Sequence, residues 1–389
     1  MTNKFIVLLG DGMSDWPLES LENKTPIEAA KTPGMDFIAK NGVSGLVKTV
    51  PDGFKPGSDI ANMSILGYDP AIYYSGRGPI EASCFGITAP KDKIIFRCNF
   101  VTIINNIMSD FTGGHIHTEN SDKIIKKLNE YWKNGPITFF TGVSYRNLAM
   151  VDRKYLGLSC TPPHDITDQV IDNYLPQGKF ASELKAIMQE TQKVINNLDL
   201  KGNKVNNIWL WGQGENPKFE LFQKKYRLTG GIVTAVGLLK GIGKLIGFET
   251  PNVPGATGFI DTNYQGKLNA AFDILKRRDF VFLHIEAPDE AGHMGDIKLK
   301  IKAIEDFDAK IVTPMLAYQE KHPDTTIMVL PDHPTPCKIK THSADPVPFA
   351  IYHKNILNNG AAQYSEKEAD STNLFYDNAE NLLKYLITR

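Results

Sequence analysis

The sequence has few cysteines and no CxxC pair, which argues against a disulfide framework. Its 389 residues include four cysteines, namely Cys84, Cys98, Cys160 and Cys337. A chain of this length can build a hydrophobic core without covalent cross-links. We therefore expect reduced thiols and a cytoplasmic protein.

The sequence also lacks an excess of charge and a long apolar run. Its 43 lysines and arginines against 44 aspartates and glutamates leave a formal net charge of −1. Neither nucleic acid nor an anionic membrane is then expected as the main partner. The N-terminal run Phe5–Leu9 is too short for the core of a signal peptide. Lysines and glycines within Gly230–Phe248 favour a buried helix with an adjoining turn over a membrane span.

Short apolar runs bounded by Gly or Pro are typical of strands buried on both faces. Four such runs are residues 4–12, 206–214, 280–289 and 325–333. Amphipathic helical patterns over Gly266–Arg278 and Asp296–His322 each precede one of the later runs. Strands that alternate with helices predict an α/β fold, with a mostly parallel sheet between two layers of helices.

The middle of the chain has a different pattern. Residues from about 90 to 178 are rich in β-branched, aromatic and turn-forming side chains, with one helical pattern near Asp122–Trp132. We expect a smaller α+β domain over residues 89–178, inserted into a discontinuous core domain of residues 1–88 and 179–389.

Three of the predicted strands run into aspartates or histidines that could bind a metal. These residues are Asp11, Asp289, His293, Asp332 and His333, and His342 follows nine residues after the last of them. The carboxyl ends of parallel strands share one edge of a sheet, so we expect the side chains to meet there. Carboxylate and imidazole suit Zn²⁺ or Mn²⁺. The set is too large for one tetrahedral ion with an open position, which favours two neighbouring ions suited to phosphoryl transfer.

A candidate nucleophile lies at the start of another predicted helix. Ser58 follows Pro56 and Gly57, and a serine there is by default a helix N-cap. The same helix start offers backbone N–H groups and a positive dipole end to a phosphate. Beside the expected metal ligands, Ser58 is better interpreted as a nucleophile that accepts a phosphoryl group.

Motifs along nearly the whole chain resemble those of the archaeal-type, cofactor-independent phosphoglycerate mutases of the alkaline phosphatase superfamily. They are "GDGMSDWP", "KPGSDIANMSILGYDP", "YSGRGPIEA", "IWLWGQG", "VPGATGFIDTNYQGK", "EAPDEAGHMGD", "KIKAIEDFD" and "LPDH". The resemblance implies a phosphatase-like core with an inserted domain. It also implies a phosphoserine intermediate, two divalent ions chosen from Mn²⁺, Zn²⁺ and Co²⁺, and no need for 2,3-bisphosphoglycerate.

The resemblance assigns roles to the candidate residues. One ion would be held by Asp11, Ser58, Asp332 and His333, and the other by Asp289, His293 and His342. Ser58 would attack the phosphate of 3-phosphoglycerate. The freed glycerate, held by the inserted domain, would turn and accept the phosphoryl group on its neighbouring hydroxyl while water is excluded.

Substrate specificity rests on weaker signals. Candidate substrate-binding residues are Arg77, Arg97, His115 and Arg146. Related mutases often carry an arginine-rich turn where this chain has Met108–Asn120, with histidines in place of arginines. A phosphotransferase acting on homoserine, or a phosphatase of a small phosphorylated metabolite, therefore remains an alternative. His284 is expected to be a packed core residue, and the oligomeric state stays open.

Overall fold

The structure is a computed structural model that describes residues 3–198, 202 and 204–388. The predicted domain ranges also include residues 1, 2, 199–201, 203 and 389, which lie outside the described residues. The chain divides into two compact units. The first unit comprises Met1–Tyr74 with Phe219–Arg389, and the second unit comprises Ser75–Lys218.

The strands of the described residues belong to two sheets. In chain order they are β1 Lys4–Gly10, β2 Val43–Val47, β3 Lys93–Ile104, β4 Ile107–Asp110, β5 Ile137–Val143, β6 Arg146–Asp152, β7 Asn207–Gly214, β8 Gly230–Val233, β9 Phe280–Ile285, β10 Thr325–Leu330, β11 Val347–Tyr352 and β12 Phe375–Tyr376.

The helices vary from single turns to four turns. In chain order they are α1 Pro26–Ala29, α2 Pro33–Asn41, α3 Ser58–Ile65, α4 Pro70–Tyr73, α5 Arg77–Cys84, α6 Thr118–Tyr131, α7 Ala181–Asn196, α8 Phe222–Tyr226, α9 Gly237–Leu245, α10 Tyr264–Leu275, α11 Ala287–Met294, α12 Ile297–Phe307, α13 Thr313–Lys321, α14 Glu366–Ser371 and α15 Ala379–Ile387. A π-helical turn, Asp308–Val312, joins α12 to α13, and short 3₁₀ helices cover Glu19–Leu21, Arg153–Tyr155, Pro163–Ile166 and Ile171–Tyr174. Among the described residues, no helix is both long enough and apolar enough to cross a membrane.

The first unit is built on a seven-stranded sheet in the order β12-β2-β11-β10-β1-β9-β8. Strand β1 pairs in parallel with both β9 and β10, and β8 and β12 also join their neighbours in parallel. Only β11 runs antiparallel to its neighbours. Strands β9 and β10 are buried along their whole length, and β1 is buried from Phe5 onward, because helices cover the sheet. This arrangement confirms the predicted α/β fold class.

The second unit contains a five-stranded antiparallel sheet, in which β4, β3, β6 and β5 are neighbours and β7 also pairs with β3. Helices α6 and α7 pack with these strands around a separate apolar core. The second unit therefore has a hydrophobic core of its own.

The structure corrects three sequence-based assignments. The run that became β7 was expected in the parallel sheet, yet it pairs antiparallel with β3. Helix α5 packs against β3 and β7, so the second unit extends beyond the expected range of 89–178 on both sides. Within Gly230–Phe248, the expected helix is preceded by strand β8. An apolar run indicates burial, but it does not say which sheet the strand joins.

Candidate functional site

The central strands of the first unit carry the predicted ligands to one edge of the sheet. Strand β1 lies between β9 and β10, and Leu9 is in register with both His284 and Leu330. Asp11 therefore emerges beside the segments that follow β9 and β10. Helix α11 begins just after β9 and carries Asp289 and His293 one turn apart.

The structure brings Ser58, Asp11 and Asp332 together around His333. Nε2 of His333 lies 3.2 Å from Oγ of Ser58, 3.4 Å from Oδ2 of Asp332 and 3.6 Å from Oδ1 of Asp11. His333 and Asp332 are fully buried, and Asp11 is 4% exposed. We call these four residues the serine cluster.

Asp289, His293 and His342 form a second group, which we call the histidine cluster. Oδ2 of Asp289 lies 3.2 Å from Nε2 of His293, and Oδ1 lies 3.5 Å from Nε2 of His342. The two imidazole Nε2 atoms are 3.0 Å apart. The rings of His333 and His342 have centroids 4.1 Å apart, so the two clusters adjoin.

The electrostatics of the serine cluster favour a bound cation. Burial, together with the negative charges of Asp332 and Asp289, raises the pKa of Asp11 well above its ordinary value. Oδ1 of Asp11 is buried and has no hydrogen-bond donor among the described residues. Burial also lowers the pKa of His333, which favours a neutral imidazole able to donate a lone pair. Converging carboxylates with an unpartnered oxygen and a neutral imidazole fit a divalent metal ion.

The histidine cluster is strongly coupled as well. Although burial opposes ionisation, hydrogen bonds from His293 and His342 lower the pKa of Asp289 well below its ordinary value. Burial opposes protonation of His293, but Asp289 raises the pKa of His293 to about 9. Ligand atoms of Asp289, His293 and His342 all lie within 4.8 Å of one another, as do those of Asp11, Asp289 and His333. These donor sets also fit a metal ion.

Ser58 is the first residue of helix α3, and Gly57 occupies the N-cap position. The default assignment of Ser58 as the N-cap is therefore wrong by one residue. One turn further on, Asn62 is fully buried and donates through Nδ2 to the carbonyl of Ser58 and to Oδ2 of Asp332. Sequence reasoning missed Asn62, although its position one helical turn after Ser58 could have suggested it.

Thr335 and Lys300 support the loop after β10 and were also missed. The Thr335 hydroxyl donates to Oδ1 of Asp289 at 2.5 Å and lies 3.3 Å from Nδ1 of His333. Lys300 is fully buried and donates to the carbonyls of Ser14 and Thr335. A lysine on the inner face of an amphipathic helix was the available signal, because such a residue needs buried acceptors.

His284 is fully buried, as expected, but it is not an apolar packing residue. Its Nε2 lies 3.0 Å from Oδ2 of Asp11, and its Nδ1 lies 3.1 Å from Oε1 of Glu286. Burial opposes its charge, but Glu286 and Asp11 together raise the pKa of His284 to about 10. Burial opposes ionisation of Glu286, but His284 and Lys267 lower its pKa.

The predicted substrate-binding residues belong to the second unit. Arg97 is 2% exposed and pairs with Glu81, to which Arg77 also donates at 3.0 Å. Despite desolvation, the charges of Arg97, Arg77 and Arg146 lower the pKa of Glu81. His115 lies in a separate turn, where its backbone N–H donates to a threonine hydroxyl.

Known proteins are similar to this chain in sequence and in fold. A sequence model described as 2,3-bisphosphoglycerate-independent phosphoglycerate mutase matches residues 39–201. A protein of that name from Methanosarcina acetivorans is 49% identical over 376 residues, covering 94% of each chain.

Two solved structures are similar over their whole length. A Pyrococcus horikoshii protein superimposes with a TM-score of 0.81 at 28% identity, covering 100% of this chain and 98% of that one. The cofactor-independent phosphoglycerate mutase of Thermoplasma acidophilum has a TM-score of 0.62 at 24% identity and 99% coverage of each chain, so it shares the fold.

Proposed function

The chain belongs to the 2,3-bisphosphoglycerate-independent phosphoglycerate mutase family, and from this premise we propose that it interconverts 3-phosphoglycerate and 2-phosphoglycerate through a phosphoserine at Ser58. It is thus an isomerase, an intramolecular phosphotransferase. The observation that carries the proposal is the position of the Ser58 hydroxyl, 3.2 Å from Nε2 of His333 at the start of helix α3.

The two clusters are proposed to hold divalent ions, chosen from Mn²⁺, Zn²⁺ and Co²⁺. Asp11, Ser58, Asp332 and His333 would hold one ion, and Asp289, His293 and His342 the other. When bound, such ions neutralise phosphoryl oxygens and lower the pKa of a serine hydroxyl. The acid and imidazole side chains supply the charge and lone pairs that this requires.

The phosphoryl group can move between the two hydroxyls of glycerate without an external phosphate donor. In the first half, a bond forms between phosphorus and Oγ of Ser58 while the bond to O3 of glycerate breaks. Ser58 loses its proton, and O3 of glycerate gains one. In the second half, a bond forms between O2 of glycerate and the same phosphorus while the bond to Oγ of Ser58 breaks. O2 loses its proton, and Oγ of Ser58 gains one. These two half-reactions explain why 2,3-bisphosphoglycerate is not required.

The second unit is proposed to bind the acid group of the substrate. Arg77 and Arg97 both pair with the single carboxylate of Glu81, and the charge of Arg146 also acts on it, so positive charge is in local excess. Arginine forks suit carboxylate and phosphate oxygens. This charge favours a phosphorylated acid over homoserine, whose ammonium group cancels the charge of its carboxylate. Arg77 and Arg146 are the more exposed members and are the better candidates, while Arg97 supports them from the interior.

The decisive variant is Ser58→Ala, with Ser64→Ala on the same helix as the matched control. The Ser64 hydroxyl donates to the carbonyl of Ile60, and Ser64 belongs to neither cluster. Phosphorus NMR of the Mn²⁺-loaded protein with 3-phosphoglycerate should show 2-phosphoglycerate for the wild type and for Ser64→Ala. Ser58→Ala should show none. Acid quenching should trap a phosphopeptide containing Ser58, and turnover by Ser58→Ala near the wild-type rate would contradict the proposal.

The choice of substrate and the dependence on metal are tested in separate reactions. The same protein is incubated with homoserine and a nucleoside triphosphate, and product in this reaction alone would replace the mutase by a phosphotransferase. Release of inorganic phosphate without 2-phosphoglycerate would indicate a phosphatase. Exhaustive dialysis against a chelator should abolish turnover, and added Mn²⁺ should restore it. Full activity after chelation would overturn the role proposed for the metal.

A further inference from the structure

We propose that His284 is a positioning residue that holds Oδ2 of Asp11, so that Oδ1 alone is left to bind a cation. The inference concerns the serine cluster and rests on the proposed function. It assigns a role to a buried chain of polar groups that includes His284, Glu286, Lys267 and Thr234.

The geometry gives each oxygen of Asp11 a different environment. Oδ2 lies 3.0 Å from Nε2 of His284, whereas Oδ1 is buried without a hydrogen-bond donor among the described residues. The backbone fixes this arrangement, because His284 lies opposite Leu9 in the β1–β9 pairing and the N–H of Asp11 donates to the carbonyl of Ile285. The carboxylate is thus held at one end, and its free oxygen lies 3.6 Å from Nε2 of His333.

Two further side chains contact Nδ1 of His284. Its Nδ1 lies 3.1 Å from Oε1 of Glu286 and 3.2 Å from the Thr234 hydroxyl. The Thr234 hydroxyl also donates to Oε1 of Glu286 at 2.9 Å. The imidazole ring therefore contacts a partner at both nitrogens, and its rotation would break contacts on both sides.

Lys267 completes the chain of contacts. Its ammonium group donates to Oε2 of Glu286 at 2.5 Å and to the carbonyl of His284 at 3.2 Å. Lys267 and His284 are fully buried, and Glu286 is 3% exposed. A buried lysine and glutamate are costly unless each is paired, so this arrangement is a poor device for stability alone. Because this chain of contacts continues to Asp11, it can also position the carboxylate of Asp11.

We assign His284 to positioning rather than to metal binding because both of its ring nitrogens face carboxylates of its own chain. Its ligand atom lies within 4.8 Å of those of Asp11 and Asp332, so distance alone would permit a shared ion. However, Nε2 lies 3.0 Å from Oδ2 of Asp11, and Nδ1 lies 3.1 Å from Oε1 of Glu286. Ligand-orienting contacts of this kind typically change metal affinity or activity about 10–100-fold when they are removed.

The test is Mn²⁺ binding to the full chain by equilibrium dialysis, with steady-state kinetics as a second readout. Glu286→Gln keeps the size of the side chain but removes the charge that holds His284, and His284→Asn removes the ring. We expect Mn²⁺ affinity of one site to fall about 10–100-fold in both variants. The kcat should fall, while KM for 3-phosphoglycerate stays near the wild-type value.

Asp308→Asn serves as the matched control for a buried acid. Asp308 is fully buried, accepts from the backbone of Gly34 and Met35, and belongs to neither cluster. This variant should lower the melting temperature without changing Mn²⁺ affinity. If His284→Asn does not fold, Glu286→Gln decides the matter.

The outcomes separate this inference from the proposed function. Wild-type Mn²⁺ affinity in folded Glu286→Gln would refute the positioning role and leave the mutase proposal intact. A wild-type protein that binds no Mn²⁺, Zn²⁺ or Co²⁺ would overturn the proposed function, and the positioning role with it. Equal losses of Mn²⁺ affinity in Glu286→Gln and Asp308→Asn would show that the chain of contacts has only a structural role.

Discussion

Asn62 joins the proposed nucleophile to a proposed metal ligand. Its Nδ2 donates at 2.9 Å to the carbonyl of Ser58 and at 2.8 Å to Oδ2 of Asp332. Residues that are 270 positions apart in the sequence are thereby held in one geometry. The start of helix α3 and the loop after β10 cannot move independently while this amide is in place.

Replacing Asn62 should therefore separate the two elements. We expect Asn62→Ala to lower the free energy of unfolding by about 1.5–3 kcal/mol, because a hydrogen bond to a buried carboxylate is lost. The kcat should fall about 10–100-fold, since a small misplacement of reacting groups is costly. Urea denaturation and 3-phosphoglycerate turnover measure both effects. Ser64→Ala, which removes a hydroxyl from the same helix, should leave kcat near wild type.

Thr335 should control the metal affinity of the histidine cluster. Thr335→Val keeps the shape of the side chain but removes the hydroxyl that donates to Oδ1 of Asp289. We expect Mn²⁺ affinity to fall about 10–100-fold, measured by calorimetric titration of the metal-free protein. Thr335→Ser, which retains the donor, should bind nearly as well as wild type. Equal affinities in Thr335→Val and wild type would show that the contact is dispensable.

Gly12 should tolerate no side chain, because two constraints meet there. Its φ is +58°, and a Cβ would lie 2.4 Å from Oδ1 of Asp289 and 2.5 Å from Oγ1 of Thr335. Gly12→Ala should lower turnover by more than about 100-fold, since it displaces a proposed ligand. The matched control is Gly53→Ala, where φ is +86° and nothing lies within 4 Å of the added carbon. It should cost about 1–2 kcal/mol of backbone strain and leave turnover unchanged.

Glu81 should make the second unit sensitive to acid. Despite its burial, Arg97 and Arg77 lower the pKa of Glu81 below its ordinary value of 4.5. A carboxyl whose pKa is lower when folded stabilises the protein above its unfolded pKa. That contribution is lost as pH falls through the folded pKa. Wild type should therefore be more stable than Glu81→Gln at pH 7, by about 3–5 kcal/mol.

The difference should shrink as pH falls below about 4, where Glu81 takes up a proton on unfolding. Urea titrations followed by tryptophan fluorescence measure it, because Trp209 and Trp211 are buried in this unit. Glu130→Gln is the control, since Glu130 is 65% exposed in its pair with Lys127 and should contribute no more than about 1 kcal/mol. A stability difference between wild type and Glu81→Gln that does not change with pH would contradict the lowered pKa of Glu81.

Much of the first unit could be predicted from local pattern. The apolar runs before Asp11, Asp289 and Asp332 are buried parallel strands, and parallel strands place their carboxyl ends at one edge. That rule sufficed to gather the candidate ligands from distant segments. The start of helix α3 at Ser58 was also correct, because Pro56 and Gly57 leave little room for an earlier start.

Partners across long sequence separations could not be predicted in the same way. The run containing Trp209 and Trp211 is equally apolar in either sheet, and only its pairing with β3 assigns it to the second unit. His284 and Lys267 have the burial of core residues, but their role depends on which polar atoms the fold places against them. Burial is a property of local composition, whereas a hydrogen-bonded or ionic pair requires two segments to be brought to within about 3 Å by the folded chain.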